Sequence, residues 1–210
     1  MFIPESHPHI GIEVIPSDLD DQTLFEASLE VSSFMRDTVH SYYKNELGLE
    51  YIDTDASPGT PEEIEWRMGR LRVAKENNIE YMVARHLSGP QAADPQTALA
   101  GLLVTQTTPR HEAAARDAIE IVEWNVVPRE RGTRLHRGLG SIMLAHKFES
   151  VPDDCGVLLD VAETNIAAQG IYRHYGFVQH GAPLWHGVFA THHLPMATDA
   201  ATLKRKLHIQ

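Results

Sequence analysis

Residues 118–127, AIEIVEWNVV, alternate apolar and polar side chains and are rich in β-branched residues, the pattern of a strand with two unlike faces. The segment that follows, PRERGTRLHRGLGSIML (128–144), is rich in arginine and glycine and becomes apolar at its end. A turn and then a helix are predicted there, with Leu139/Met143 and Leu144/Phe148 as i,i+4 pairs. CGVLLDVAE (155–163) reads as a buried strand, and NIAAQGIYRHYGF (165–177) as a short helix stopped by Gly176. Strand, helix, strand, helix in that order require a sheet with helices packed on it, because each element carries an apolar face that only such layering buries.

The flanks fit the same plan. GIEVIPSD (11–18) is a short strand ended by Pro16, with Ser17 and Asp18 placed to cap a helix. Leu24, Ala27, Val31 and Met35 recur near helical spacing, and Gly48 follows. Thr60-Pro61-Glu62-Glu63 is a helix start, and Ile64, Met68 and Leu71 mark the helix. IEYMVARHL and TALAGLLVTQTT read as adjacent strands, FVQHGAPLWHG and VFATHHLPM as the final ones, and LKRKLHIQ as a short helix or a frayed end. The expected fold is α/β, a mixed, mostly antiparallel sheet of about seven strands with helices on both faces. One domain spans 1–210, with helices at 20–80, a core at 98–178 and C-terminal strands at 177–198.

Composition narrows the function. A formal net charge of −11 disfavours a nucleic-acid partner. No stretch approaches the ~18 apolar residues of a membrane span, the start lacks a basic, apolar leader pattern, and a single cysteine rules out an intrachain disulfide. These features fit a cytoplasmic enzyme or binding protein.

Against that acidic background, four arginines fall within 129–137. Arg131, Arg134 and Arg137 precede Gly138 and Gly140 at the predicted helix start, where backbone N–H groups and the helix dipole favour an anion such as phosphate. The turn is no Walker A loop, since no Gly-Lys-Ser/Thr closes it, and Met143 stands where a dinucleotide fingerprint needs its third glycine. In the next helix Asn165, Ala168 and Tyr172 share one face, while Ala167, Ile171 and Tyr175 form an apolar face expected to be core.

A strand leading to RGLGS and a helix, then a buried strand leading to N-x-x-A-x-x-x-Y-x-x-x-G-F, resembles the GNAT superfamily of acetyl-CoA-dependent N-acyltransferases over about residues 118–178. The resemblance departs in the loop: Leu135 stands where that superfamily has Arg or Gln. It implies acetyl-CoA as co-substrate, held by Val126, Val127, Arg134, Arg137, Gly138, Leu139, Gly140, Ser141, Asn165, Ala168 and Tyr172. It implies Tyr172 as the acid that protonates the leaving thiolate and a base from the 118–127 strand, Glu120 first and Glu123 second. Simple alternation puts Glu120 on the face of Val122, Trp124 and Val126, and Glu123 on the other. The implied activity is transfer of an acetyl group to a primary amine of a small molecule or peptide. The alternative is a non-catalytic acyl-CoA-binding or sensing module. Homodimers are common in the superfamily.

No metal is expected. His192 and His193 are adjacent in a strand and point to opposite faces, and His7 and His9 sit near a terminus expected to be mobile. His136 reads as a solvated loop residue and Cys155 as a small core residue. Glu46, Glu50, Asp53, Asp55, Glu62, Glu63 and Glu65 could attract a cationic acceptor, but read better as a solvated face.

Overall fold

The structure is a computed structural model that describes residues 1–49, 60–94, 97–111, 116–127, 130, 138–187 and 190–209. In chain order the elements are β1 (Ile10–Val14), α1 (Asp21–Phe34), a π-helical turn (Met35–His40), α2 (Ser41–Leu47), α3 (Pro61–Arg72), β2 (Ile79–His86), α4 (Pro90–Ala93), β3 (Leu99–His111) and β4 (Arg116–Val126). Then follow α5 (Leu139–Phe148), β5 (Gly156–Ala162), α6 (Ile166–His174), β6 (Val178–Gln179), β7 (Leu184–His186), β8 (Thr191–Asp199) and α7 (Ala200–Leu207).

All eight strands join one sheet in the order β1-β2-β3-β4-β5-β8-β6, with β7 also on β8. Every pairing is antiparallel except β4 with β5. That parallel pairing is short, running from Ala118↔Gly156 to Ile121↔Leu159. Beyond it β4 stays with β3 as far as Gly101↔Val126, and β5 stays with β8 as far as Ala162↔His193. The middle of the sheet therefore splits open between Val122–Val126 and Asp160–Ala162.

Helices cover both faces, as the sequence predicts. On one face α5 and α7 bury Leu139, Met143, Leu144, Phe148 and Leu203 against Ile119, Ile121, Val157 and Leu159. On the other, α1 and α3 bury Leu24, Val31, Phe34 and Leu71 against Tyr81, Val83, Leu102 and Val104. Burial at about 25 cal/mol per Å² of apolar surface is the main force holding such layers together. Among the described residues, no helix is long and apolar enough to cross a membrane.

Local signals explain the helix ends. Thr60 caps α3 by accepting from the Glu63 N–H, and Pro61 fills its first turn. The cap of α1 is Asp20, which accepts from the N–H groups of Gln22 and Thr23, and not Ser17 or Asp18. α6 stops at Gly176, whose φ of +92° suits glycine. A Cβ there would also lie 2.5 Å from Thr202 Cγ2 on α7.

Candidate active site

β4 decides which side chains face which layer, and it is not regular. Val104 pairs with Glu123 and Thr105 with Ile121, so Val122 is an extra, bulged residue. The bulge reverses the alternation. Ile119, Ile121, Trp124 and Val126 all belong to the α5 face. Glu120 pairs with Gln106 and Glu123 with Val104, and both lie on the α1/α3 face. The expectation that Glu120 shares a face with Trp124 and Val126, opposite Glu123, is thus corrected: the two carboxylates share a face.

Their settings differ. Glu120 lies where β4 and β5 are still paired, beside Leu158, whereas Glu123 lies beyond the split. Glu123 accepts a hydrogen bond from Asn125 Nδ2 at 2.7 Å. Burial pushes its carboxyl up to about 7, against the pull of Arg67, that hydrogen bond and Arg70. Arg67 also donates from Nε to Glu63 Oε1 at 2.7 Å, and the Ser32 hydroxyl bonds Glu63 Oε2. Glu63 is 3% exposed, so this member of the expected solvated face is a buried anion held by α3's own arginine. Glu50, Asp53 and Asp55 lie outside the described residues.

The same face continues on β5 and β8. Val157, Leu159 and Val161 fill the α5-side core, which turns Leu158 and Asp160 to the other side. His193, opposite Ala162, stacks on His186 with ring centroids 4.4 Å apart. Burial, followed by the neighbouring His186, drives the His193 imidazole down to about 4, so it is neutral at ordinary pH. Burial raises the Asp160 carboxyl, with His186 partly opposing.

The α5 face of the split is aromatic. Trp124 stacks on Tyr172 with centroids 5.7 Å apart, and Tyr172 meets Phe177 at 6.1 Å. Trp124 Nε1 donates to the Gly140 carbonyl at 3.1 Å, and a Cβ on Gly140 would lie 2.9 Å from that nitrogen. Glycine there lets α5 sit directly on the indole. The N-cap of α5 is Gly138, which has no side chain to cover the first-turn N–H groups. Leu139 is fully buried, and Ser141 is partly buried with its hydroxyl against Tyr175. Arg131, Arg134, His136 and Arg137 lie outside the described residues.

On α6 the packed face is the one that carries Asn165, Ala168, Gln169, Tyr172 and Tyr175. Ala167 is exposed and Ile171 is 40% exposed, so their predicted core face is corrected, with Tyr175 its one buried member. The Tyr172 ring finds its partner surface in Trp124, a contact between distant segments that spacing along α6 does not encode. Asn165 Oδ1 caps α6 by accepting from the Ala168 N–H at 3.1 Å, and it also accepts from the Tyr42 hydroxyl at 3.1 Å. Tyr42 follows the π-helical turn, which rephases the helix before α2. Gln169 ties α6 to β5 by donating to the carbonyls of Ala162 and Glu163.

Backbone groups also divide. The Val127 N–H donates to the Ala100 carbonyl at 2.9 Å, and the Val127 carbonyl accepts from Glu130. Strand alternation turns the Val126 N–H to the opposite edge, the one that faces the split. Cys155 is buried, its thiol donates to the Asp117 carbonyl, and burial pushes it up, as befits a core residue.

A sheet parted at one parallel pair, with a glycine-capped helix after the first of the two strands and a Tyr-bearing helix after the second, is a distinctive arrangement. Among solved structures the chain is similar to the ribosomal-protein-S5-alanine acetyltransferase from Vibrio fischeri, at 14% identity, covering 91% of this chain and 93% of that one, with a TM-score of 0.59. A spermidine N-acetyltransferase variant from Vibrio cholerae is similar at 13% identity over 95% and 96%, with a TM-score of 0.53. A GNAT-family acetyltransferase from Streptococcus pneumoniae is similar at 17% identity over 90% and 98%, with a TM-score of 0.51. The chain has the GNAT acetyltransferase fold. At these identities the likeness fixes the GNAT architecture and leaves the chemistry to the residues. No protein-family model matches the sequence, and no curated protein matches it.

Within the GNAT fold, the elements read from sequence as the glycine turn and the N-x-x-A-x-x-x-Y helix are α5's start and α6. Sequence reasoning missed Trp124, Arg67, Tyr42 and Gln169. Only Trp124 left a trace, as a large aromatic in an alternating strand.

Proposed function

We propose that the chain is an N-acetyltransferase that moves an acetyl group from acetyl-CoA to a primary amine by direct attack. The observation that carries this reading is the split between β4 and β5, with the Glu123 carboxyl raised to about 7 on one face and the Tyr172 ring stacked on Trp124 on the other. A thioester substrate supplies the acetyl group. Its pantetheine arm fits the parted strand edges as an added strand would, and its pyrophosphate fits the helix start at Gly138–Gly140, where no N-cap side chain covers the N–H groups, with Arg134 and Arg137 as partners.

The acceptor approaches from the α1/α3 side. An alkyl amine is protonated at neutral pH, with a pKa near ~10.4, so attack needs proton removal. Glu123 is better supported as base than Glu120, because it lies beyond the split and its raised pKa suits proton transfer near neutrality. The Val126 N–H polarises the thioester carbonyl. Glu123 first passes one proton of the ammonium to solvent; as the C–N bond forms and the C–S bond breaks it takes the second from the nitrogen, the Tyr172 hydroxyl donates one to the departing thiolate, and a proton returned through solvent restores the phenol. Asn165, its oxygen occupied by Ala168 and Tyr42, contributes its Nδ2 as a donor.

The test is thiol release from acetyl-CoA across an amine panel that includes spermidine and an alanine peptide, a choice guided by the names of two of the similar structures. Turnover with at least one amine class is expected. Tight acetyl-CoA binding with no turnover on any amine would favour a non-catalytic acyl-CoA sensor.

A further inference from the structure

Three residues that can bind metal converge from separate parts of the chain. His9 precedes β1, His86 ends β2, and Glu130 follows β4. One ligand atom from each lies within 4.8 Å of the others. His9 Nε2 is 3.5 Å from Glu130 Oε1, and His7 Nε2 is 3.9 Å from Glu130 Oε2.

The donors are held in place from the backbone outward. The N-terminal segment is tied down, because Phe2 exchanges two backbone hydrogen bonds of 2.7 Å with Ile12 and its ring stacks on His146. The Ile10 N–H donates to the His7 carbonyl at 2.9 Å, closing a turn around Pro8 that brings both histidines to one side. The His9 carbonyl accepts from the Leu87 N–H at 2.8 Å, and the His86 N–H donates to Ala98. The His9 and His86 rings lie nearly parallel at 6.1 Å, and Glu130 is fixed by its N–H to the Val127 carbonyl at 3.0 Å.

We infer that His9, His86 and Glu130 form a binding site for a borderline divalent cation of the zinc class, with three protein donors and a position left open to solvent. Two imidazoles and a carboxylate suit such an ion, whereas calcium and magnesium take all-oxygen sets. Ligand bonds of ~2.0–2.1 Å in a tetrahedron put neighbouring donors about 3.3 Å apart, close to the observed 3.5 Å between His9 and Glu130. The ion clips the N-terminal segment, the end of β2 and the exit of β4 together. No spacing rule finds it, because the ligands come from three separate parts of the chain.

The test uses the full chain, stripped with a chelator and titrated with Zn²⁺ alone against a chromophoric competitor. One ion per chain is expected, with a rise in melting temperature by mass action and, with Co²⁺, the absorption of a four- or five-coordinate centre. Glu130→Gln and His9→Ala each weaken binding by at least about tenfold, while His192→Ala leaves it unchanged. Both test residues lie outside the buried core, and circular dichroism checks that the variants fold. If Zn²⁺ binds Glu130→Gln and His9→Ala as it binds the parent, or if no saturable binding is seen, the cluster is an ion pair between histidine and glutamate and the inference fails.

Discussion

The hydroxyls of Ser141 and Tyr175 share a hydrogen bond of 2.6 Å, which joins the first turn of α5 to the end of α6. Tyr175 is 1% exposed, so Tyr175→Phe should cost about 0.5–1.5 kcal/mol of stability and loosen the glycine turn, weakening acetyl-CoA binding severalfold. Tyr172→Phe keeps the stack on Trp124 and should lower turnover by ~10²–10⁴-fold. Denaturant melts, a binding titration and steady-state kinetics on both variants separate the two roles. A Tyr172→Phe enzyme that turns over like the parent would remove the phenol from the mechanism.

The Glu123 carboxyl gives a pH signature with a definite sign. Its folded pKa is raised to about 7, so the native state holds a proton that the unfolded chain has already released. The resulting stability is complete below the ordinary carboxylate range and is lost as pH rises through about 7. With Glu123 as the proposed base, activity should run the other way, rising as the carboxylate forms. Glu123→Gln should flatten the fall in stability between pH 5 and 8 (roughly the span of the shift) and abolish the rising limb of kcat/KM. If Glu120→Gln abolishes that limb and Glu123→Gln does not, the base is Glu120.

Glycines in two helices should respond in opposite directions to alanine. Gly170 lies inside α6 with nothing within 4 Å of a built Cβ, so Gly170→Ala should stabilise by about 0.5–1 kcal/mol. Gly140 meets Trp124 Nε1 at 2.9 Å and Val126 Cγ2 at 3.3 Å. Overpacking of about 1–3 kcal/mol there should outweigh the helical gain and push α5 off β4. Melting temperatures of the two variants, compared directly, check the sign.

Arg67 is the cation shared by Glu63 and Glu123. Arg67→Met should cost about 3–5 kcal/mol, because Glu63 is left buried without its arginine. Where the variant remains folded, the midpoint of the pH–rate limb should move to higher pH, since a charge that holds Glu123 down has gone. Arg67→Lys keeps the charge and should move it far less. An unshifted midpoint in Arg67→Met would show that Glu123 does not set that limb.

The order of elements from 118 to 178 was legible because β4 alternates, β5 is an apolar run, and Gly138, Gly156 and Gly176 mark bounds of α5, β5 and α6. The faces were not. One bulged residue, Val122, leaves no mark on composition yet exchanges the sides of everything after it. On α6, Ala167 and Ile171 look like a core stripe until Trp124 provides the partner surface for Tyr172. The buried Ser32–Glu63–Arg67 set and the His9–His86–Glu130 cluster depend on contacts between distant segments, which no local pattern encodes.

The position of β8 bears on how the chain is made. β8 lies between β5 and β6, so β6, although synthesised first, has no neighbour in the sheet until β8 arrives. The N-terminal antiparallel strands can assemble as they emerge from the ribosome, whereas the β5 edge waits for Thr191–Asp199 and then for α7, whose Leu203 is fully buried. Until then β5 presents an open, apolar edge to other chains. Nascent chains stalled before Thr191 are therefore the species most exposed to aggregation, and the arrival of β8 and α7 closes that edge.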